Sequence, residues 1–315
     1  MLALCAGVVI SSAPVLANTP TQLPVEKFNT SYTSYKTSRS WMWWMTDTEK
    51  CAKKQTIYGA RPANGGSYPV LVYLHGTFAD WGKNKEGQRF VELAAAQGFI
   101  AVAMTYSSNG TLNEKEDNYH ANCMFNKNFS GSGVNAICKI PGADCSKLLV
   151  TGFSQGGIIA AMAKNYNSDV KAVWGIGLNA SIFPRDRVFK DVLPAPHGNR
   201  VLPNNKLVIN MGEASNLSTD KPIAEDLPSL KQMTGVNCGN GYDCLQSNGS
   251  GYYVVSNSEV KDGVADHAYW MRVNSSWNKG LSFTFSPKEL DPGFQPTATT
   301  EWSMIRNLDW LRSQL

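Results

Sequence analysis

Charged residues are scarce in this chain, 17% of 315 positions, and neither sign gathers anywhere along it. The formal net charge is only +4 and no run of lysine and arginine occurs. A nucleic-acid surface needs a concentrated basic stripe, so that class of partner is excluded. No Cys-x-x-Cys pair is present to begin a zinc site, and neither a metal nor an organic cofactor is expected. The apolar stretch Met1–Ala17 is too short to span a bilayer comfortably, so integral membrane association is not expected. No internal repeat, low-complexity tract or interdomain linker interrupts the chain. Histidine is rare as well, four in all, so a search for a catalytic base is short.

Hydrophobic residues make up 43% of the sequence, ample for a core. Residues Met1–Ala17 are uncharged and mostly apolar and end in Val15-Leu16-Ala17, the small-residue pattern of a signal peptide cleaved before Asn18, although no basic n-region precedes it. The expected destination is outside the cell or the periplasm. Beyond that leader six cysteines remain, and an even set in an exported chain reads as disulfides. Loop closure favours near neighbours: Cys138 with Cys145 and Cys238 with Cys244, leaving Cys51 for Cys123.

The region from Asn18 to about Cys51 is polar and rich in Ser, Thr and Tyr, then turns aromatic at Trp41-Met42-Trp43-Trp44-Met45, a cluster expected to pack under the sheet. Pro69–Leu74 is an unbroken apolar run of strand length. Helical spacing follows over Phe90–Gln97, closed by Gly98, and a second buried strand over Phe99–Tyr106. Further strands are expected from Leu148, over Val170–Gly177, over Leu207–Met211 and over Tyr252–Val255, with a closing amphipathic helix at about Thr300–Arg312. Alternating strands and helices imply a mostly parallel central sheet covered by helices on both faces. We read 18–315 as one domain with loop insertions, of which Ser107–Cys138 and Leu178–Asn205 are placed to shape a pocket.

The strand at Leu148 runs directly into Gly152-Phe153-Ser154-Gln155-Gly156 and then into the helix-like Ile158–Ala163. That is a nucleophile elbow, in which a tight turn flanked by glycines exposes the Ser154 hydroxyl at a helix N-terminus. A serine needs a base, usually histidine, oriented by a carboxylate. Three histidines are poorly suited: His75 ends a strand, His120 lies in a polar loop and His197 in a Pro-rich connection. His267, after the last core strand, is the expected base. The acid should follow the strand Leu207–Met211, where Glu213 comes first and Asp220 second. Asp266 is adjacent to His267, and successive side chains diverge, which disfavours it. The oxyanion hole is assigned to the backbone N–H of Gln155 and to that of Thr77 or Phe78 beyond Gly76.

The strand ending in His75-Gly76, the elbow, a carboxylate after a late strand, and His267 together resemble the α/β-hydrolases over about Tyr58–Leu315. Within that superfamily Ser-Gln-Gly at the elbow, with export and disulfides, is similar to secreted cutinase-like and depolymerase-like esterases. Many members carry Gly-x-x-Asp after the late strand, where this chain has Ser215. The resemblance implies a serine carboxylic-ester hydrolase acting through a Ser154 acyl-enzyme, with an ester substrate and no cofactor. Two alternatives stay open: a serine peptidase of the same fold, and a non-catalytic binding protein on a hydrolase scaffold. Composition does not fix the oligomeric state.

Overall fold

The computed structural model describes residues 22–36, 50–77, 84–108, 113–182, 187–214, 223–271 and 290–315. The leader, the aromatic cluster at Trp41–Met45, Phe78, Ser215 and Asp220 lie outside them.

Two strands open the described chain, β1 (Val25–Lys36) and β2 (Lys50–Pro62), and pair antiparallel. Then come β3 (Tyr68–Leu74), α1 (Lys85–Ala96), β4 (Ile100–Met104), α2 (Glu114–Phe125), α3 (Gly133–Ile137), β5 (Ala143–Phe153), α4 (Gln155–Tyr166) and β6 (Val170–Ile176). The short pair β7 (Ser181–Ile182) and β8 (Arg187–Val188) forms its own ribbon. The remainder is β9 (Leu207–Gly212), α5 (Leu227–Thr234), β10 (Asp243–Leu245), β11 (Gly251–Val255) and α6 (Met304–Ser313).

Among the described residues the main sheet has nine strands in the order β1-β2-β4-β3-β5-β6-β9-β11-β10. Every pairing from β4 to β11 is parallel, and antiparallel pairing is confined to the two edges. The expected architecture, a mostly parallel sheet with helices on both faces, is therefore the one found. Strand β3 illustrates why its run reads as continuously apolar. Val70, Val72 and Leu74 enter one buried cluster with α2, α4 and α5, while Leu71 and Tyr73 enter another with α1 and α6. A strand covered on both faces has no polar side to alternate with.

The sequence reading missed the β1–β2 hairpin. Strand β1 is an edge strand whose exposed positions carry Glu26, Lys27 and Asn29 while Tyr32 and Tyr35 are buried, so polar residues dominate its composition. The polar stretch 107–138, read as a loop, contains α2 and α3. Helix α2 starts at Asn113, whose side chain accepts the Lys115 N–H, and has Glu114, Glu116 and Asp117 in its first turn. Those are start signals that its low apolar content obscured. Cystines join Cys51 to Cys123, Cys138 to Cys145 and Cys238 to Cys244, the pairs that loop closure selects. The first ties α2 to β2.

Candidate active site

Strand β5 ends and α4 begins on either side of Ser154, which adopts φ 53° and ψ −120°. A serine in that region is strained by about 1–3 kcal/mol and is held there only because its surroundings leave no alternative. The surroundings are tight. A Cβ on Gly152 would lie 2.3 Å from the Gly156 backbone, and one on Gly156 would lie 2.2 Å from the Leu74 carbonyl oxygen. Ser154 N–H donates to the Ile176 carbonyl at 2.9 Å, tying the elbow to the end of β6, and the Gly157 N–H donates back to the Ser154 carbonyl at 2.9 Å.

Beyond β3 the chain passes directly over this turn. A Cβ on Gly76 would sit 2.8 Å from the Phe153 ring and 3.5 Å from the Ser154 Cβ, so only glycine allows so close an approach. Thr77 follows at once and is half-buried. His75 secures the segment from behind. Its Nε2 accepts the Tyr106 N–H at 3.2 Å, which requires the proton on Nδ1, and Nδ1 then donates to the Gly76 carbonyl at 2.7 Å. The ring also stacks on Tyr106 with centroids 4.1 Å apart. His75 thus holds the segment by hydrogen bonds and stacking. On the other side of the nucleophile, Gln155 occupies the first position of α4, where a backbone N–H has no intrahelical acceptor.

The four histidines separate cleanly. His120 is buried, and loss of solvation holds its ring down at about 3. His197 is exposed on the connection before β9. The His267 ring reaches the elbow: it lies 5.0 Å from that of Phe153, and a Cβ on Gly177 would meet its Cε1 at 3.2 Å and Nδ1 at 3.3 Å. Gly177 follows Ile176, the residue to which Ser154 is bonded, so nucleophile and imidazole share one corner. Nε2 of His267 is buried without a hydrogen-bond partner. Burial lowers its pKa to about 4, so the ring is neutral and able to accept a proton at neutral pH.

Its position comes from an aromatic anchor. Trp270 packs against Phe153 at 5.6 Å and Phe294 at 5.1 Å, and Phe294 packs against Trp174 at 5.9 Å. The Asp266 carboxylate accepts the Ala268 N–H at 2.8 Å, closing a turn around His267. Burial raises the Asp266 pKa to about 6. That carboxylate shapes the turn, in keeping with its poor prospects as an orienting acid.

Glu213 is placed differently from its expected role. Its Oε1 accepts from the Tyr242 hydroxyl at 3.2 Å and its Oε2 from the Asn257 N–H at 2.8 Å. Among the described residues no carboxylate bonds to His267. The backbone beside Glu213 does approach the histidine segment, with Ala214 N–H donating to the Ala265 carbonyl at 2.8 Å. The turn after β9 is therefore adjacent to the His267 segment, while the Glu213 side chain points into the β10–β11 side.

Two buried carboxyls near the elbow escaped the sequence reading. Asp117 on α2 accepts the Gln155 amide at 2.7 Å, and Glu86 in the first turn of α1 accepts the Gly76 N–H. Burial raises Glu86 to about 7. The Asn113 cap followed by an acidic first turn of α2 was the signal that could have exposed Asp117. No group of metal-ligating side chains occurs among the described residues, nor any helix long and apolar enough to cross a membrane.

Residues 28–180 match the chlorophyllase family model, a span running from β1 through the elbow to just beyond β6. No curated protein matches the chain. Among solved structures, a provisionally assigned dienelactone hydrolase from Klebsiella pneumoniae subsp. pneumoniae aligns over 92% of this chain and 99% of its own, at 16% identity and a TM-score of 0.48. A dienelactone hydrolase-like promiscuous phosphotriesterase from metagenomic libraries aligns over 73% of this chain and 80% of its own, at 13% identity and a TM-score of 0.43.

Proposed function

We propose that this chain, a member of the α/β-hydrolase superfamily, cleaves carboxylic esters through an acyl-enzyme on Ser154. The observation that carries the reading is the left-handed φ of 53° at Ser154, a strained non-glycine residue between a buried strand and a helix N-terminus. Backbone strain of this kind clusters at functional sites.

In the first half-reaction His267 Nε2 takes the Ser154 proton as Oγ bonds to the ester carbonyl carbon. The oxygen that becomes negative is met by the backbone N–H groups of Gln155 and Thr77. Collapse of the tetrahedral intermediate breaks the carbon–oxygen bond, and the imidazolium returns its proton to the departing alcohol. Water then gives a proton to His267 as it attacks the acyl carbon, and as the second tetrahedral intermediate collapses the imidazolium returns that proton to the departing Ser154 Oγ, releasing the acid and free Ser154. The orienting carboxylate belongs to the turn after β9. Glu213 binds Tyr242 and Asn257 and makes no bond to His267, and Asp220, the second candidate in sequence, takes the role in this reading.

Export agrees with three cystines, which persist in oxidising compartments. The test is a fluorophosphonate probe alongside p-nitrophenyl esters. Wild-type protein is labelled on Ser154 and turns over the esters, and Ser154→Ala loses both. Labelling that survives in Ser154→Ala would sink the assignment. Turnover of peptide anilides without esters would make the chain a peptidase, and binding without any turnover would make it a silent scaffold.

A further inference from the structure

The side chain of Gln155 is buried, and both ends of its amide are held. Its nitrogen donates to Asp117 Oδ1 at 2.7 Å, and its oxygen accepts the Ser108 hydroxyl at 2.8 Å. Asp117 is fully buried on α2, and its Oδ2 has no partner at all. A buried carboxyl with one hydrogen bond is a poor structural element, since an apolar residue of similar size would avoid the desolvation cost. Something other than packing accounts for it.

Its location supplies the reason. Helix α2 lies across α4, and Asp117 reaches the one side chain that follows the nucleophile. One turn further on the same helix, His120 tilts onto Tyr106 at 4.9 Å, and Tyr106 stacks on His75 and donates its hydroxyl proton to the His75 carbonyl at 2.6 Å. One helix thus backs both segments that carry the candidate oxyanion donors. The cystine Cys51–Cys123 anchors it to β2.

We propose that Asp117 is a positioning residue of the oxyanion hole: by clamping the Gln155 side chain it fixes the Ser154–Gln155 peptide, whose N–H meets the developing negative charge. The inference rests on the esterase reading above. Burial, helped by Glu116 and Glu114 on the same helix, pushes the Asp117 carboxyl up to about 8. At neutral pH it is an uncharged acid that accepts through Oδ1 and keeps its proton on Oδ2. An ionised carboxylate so close to the site would oppose the very charge the hole stabilises.

The clamp is tested with Asp117→Ala and Asp117→Asn beside wild type and Ser154→Ala, on p-nitrophenyl butyrate. Rates are taken per active site titrated with fluorophosphonate, so loss of folded protein does not count as loss of catalysis. Asp117→Ala is expected to lower kcat by about 10- to 100-fold, a share of the ~10²–10³ lost with an oxyanion donor, with KM within about twofold. Asp117→Asn, an uncharged isostere with the same acceptor, is expected to stay within about threefold of wild type. An unchanged kcat in Asp117→Ala, or Asp117→Asn as impaired as Asp117→Ala, overturns the proposal. If Asp117→Ala does not fold, Gln155→Ala reads the same clamp from its other end, and an unchanged kcat there overturns it equally. Turnover by Ser154→Ala sinks the esterase reading itself, whereas a silent Ser154→Ala with an unaffected Asp117→Ala sinks only the clamp.

Discussion

The elbow and the turn after β9 both follow buried parallel strands, yet they are built in opposite ways. At the elbow the backbone is fixed by contacts of 2.2 to 2.8 Å that any added Cβ would make, and no side-chain choice is involved. At the turn the backbone is pinned by Ala214 to Ala265, but the chemistry depends on where one flexible carboxylate goes. Glu213 goes to Tyr242 and Asn257. Steric exclusion leaves one solution that five residues can encode. A hydrogen-bonding side chain chooses among partners brought from distant parts of the chain, and a local sequence cannot announce which it prefers.

The largest effect should come from breaking the steric half of this contrast. Gly156→Ala drives a methyl group into the carbonyl at the end of β3, where neither backbone can yield, and should cost about 4 kcal/mol or more. The expected outcome is little soluble protein and a large fall in denaturant midpoint. A stable Gly156→Ala protein would show that the turn is less constrained than the contacts imply.

The side-chain half is sharpened by exchanging the two carboxylates of the turn. Asp220→Asn should lower kcat about a thousandfold or more through loss of the group that orients the base. Glu213→Gln keeps an acceptor for the Asn257 N–H and a partner for Tyr242, and should leave kcat within about threefold. The reverse pattern in steady-state kinetics would return the acid role to Glu213. A smaller effect lies in the pH profile of kcat/KM. Protonation disables the base, so activity falls as pH drops through the His267 pKa, which burial alone sets at about 4. In the proposed triad an ionised Asp220 would favour the charged form of the ring, so the wild-type acid limb should lie about one to two pH units above that of Asp220→Asn. Limbs that coincide would separate Asp220 from His267.

Legibility followed the same division. The strands β3, β4, β5, β6, β9 and β11 were legible from mainly apolar runs such as Pro69–Leu74, because a strand covered on both faces has few polar positions to spare. The elbow was legible because glycine is the only residue its contacts admit. The β1–β2 hairpin was not, since the edge strand β1 and its neighbour β2 are written largely in Ser, Thr, Lys and Asn. Helix α2 was hidden for the same reason, and with it Asp117, whose importance arises only from the 38 positions that separate it from Gln155 in sequence. His267 was reached by elimination among four histidines. What set it apart physically, the Trp270 anchor and the open face of Gly177, required the folded chain.

The cystine between Cys51 and Cys123 also has a place in time. Both cysteines precede Ser154 along the chain, so both have been synthesised before the nucleophile exists. The hairpin, β4 and α2 can be covalently joined while β5 and α4 are still to come. A chain made where thiols stay reduced would have to complete the same corner without that tether, so the setting of its synthesis, and not its sequence alone, bears on how well the catalytic corner is assembled.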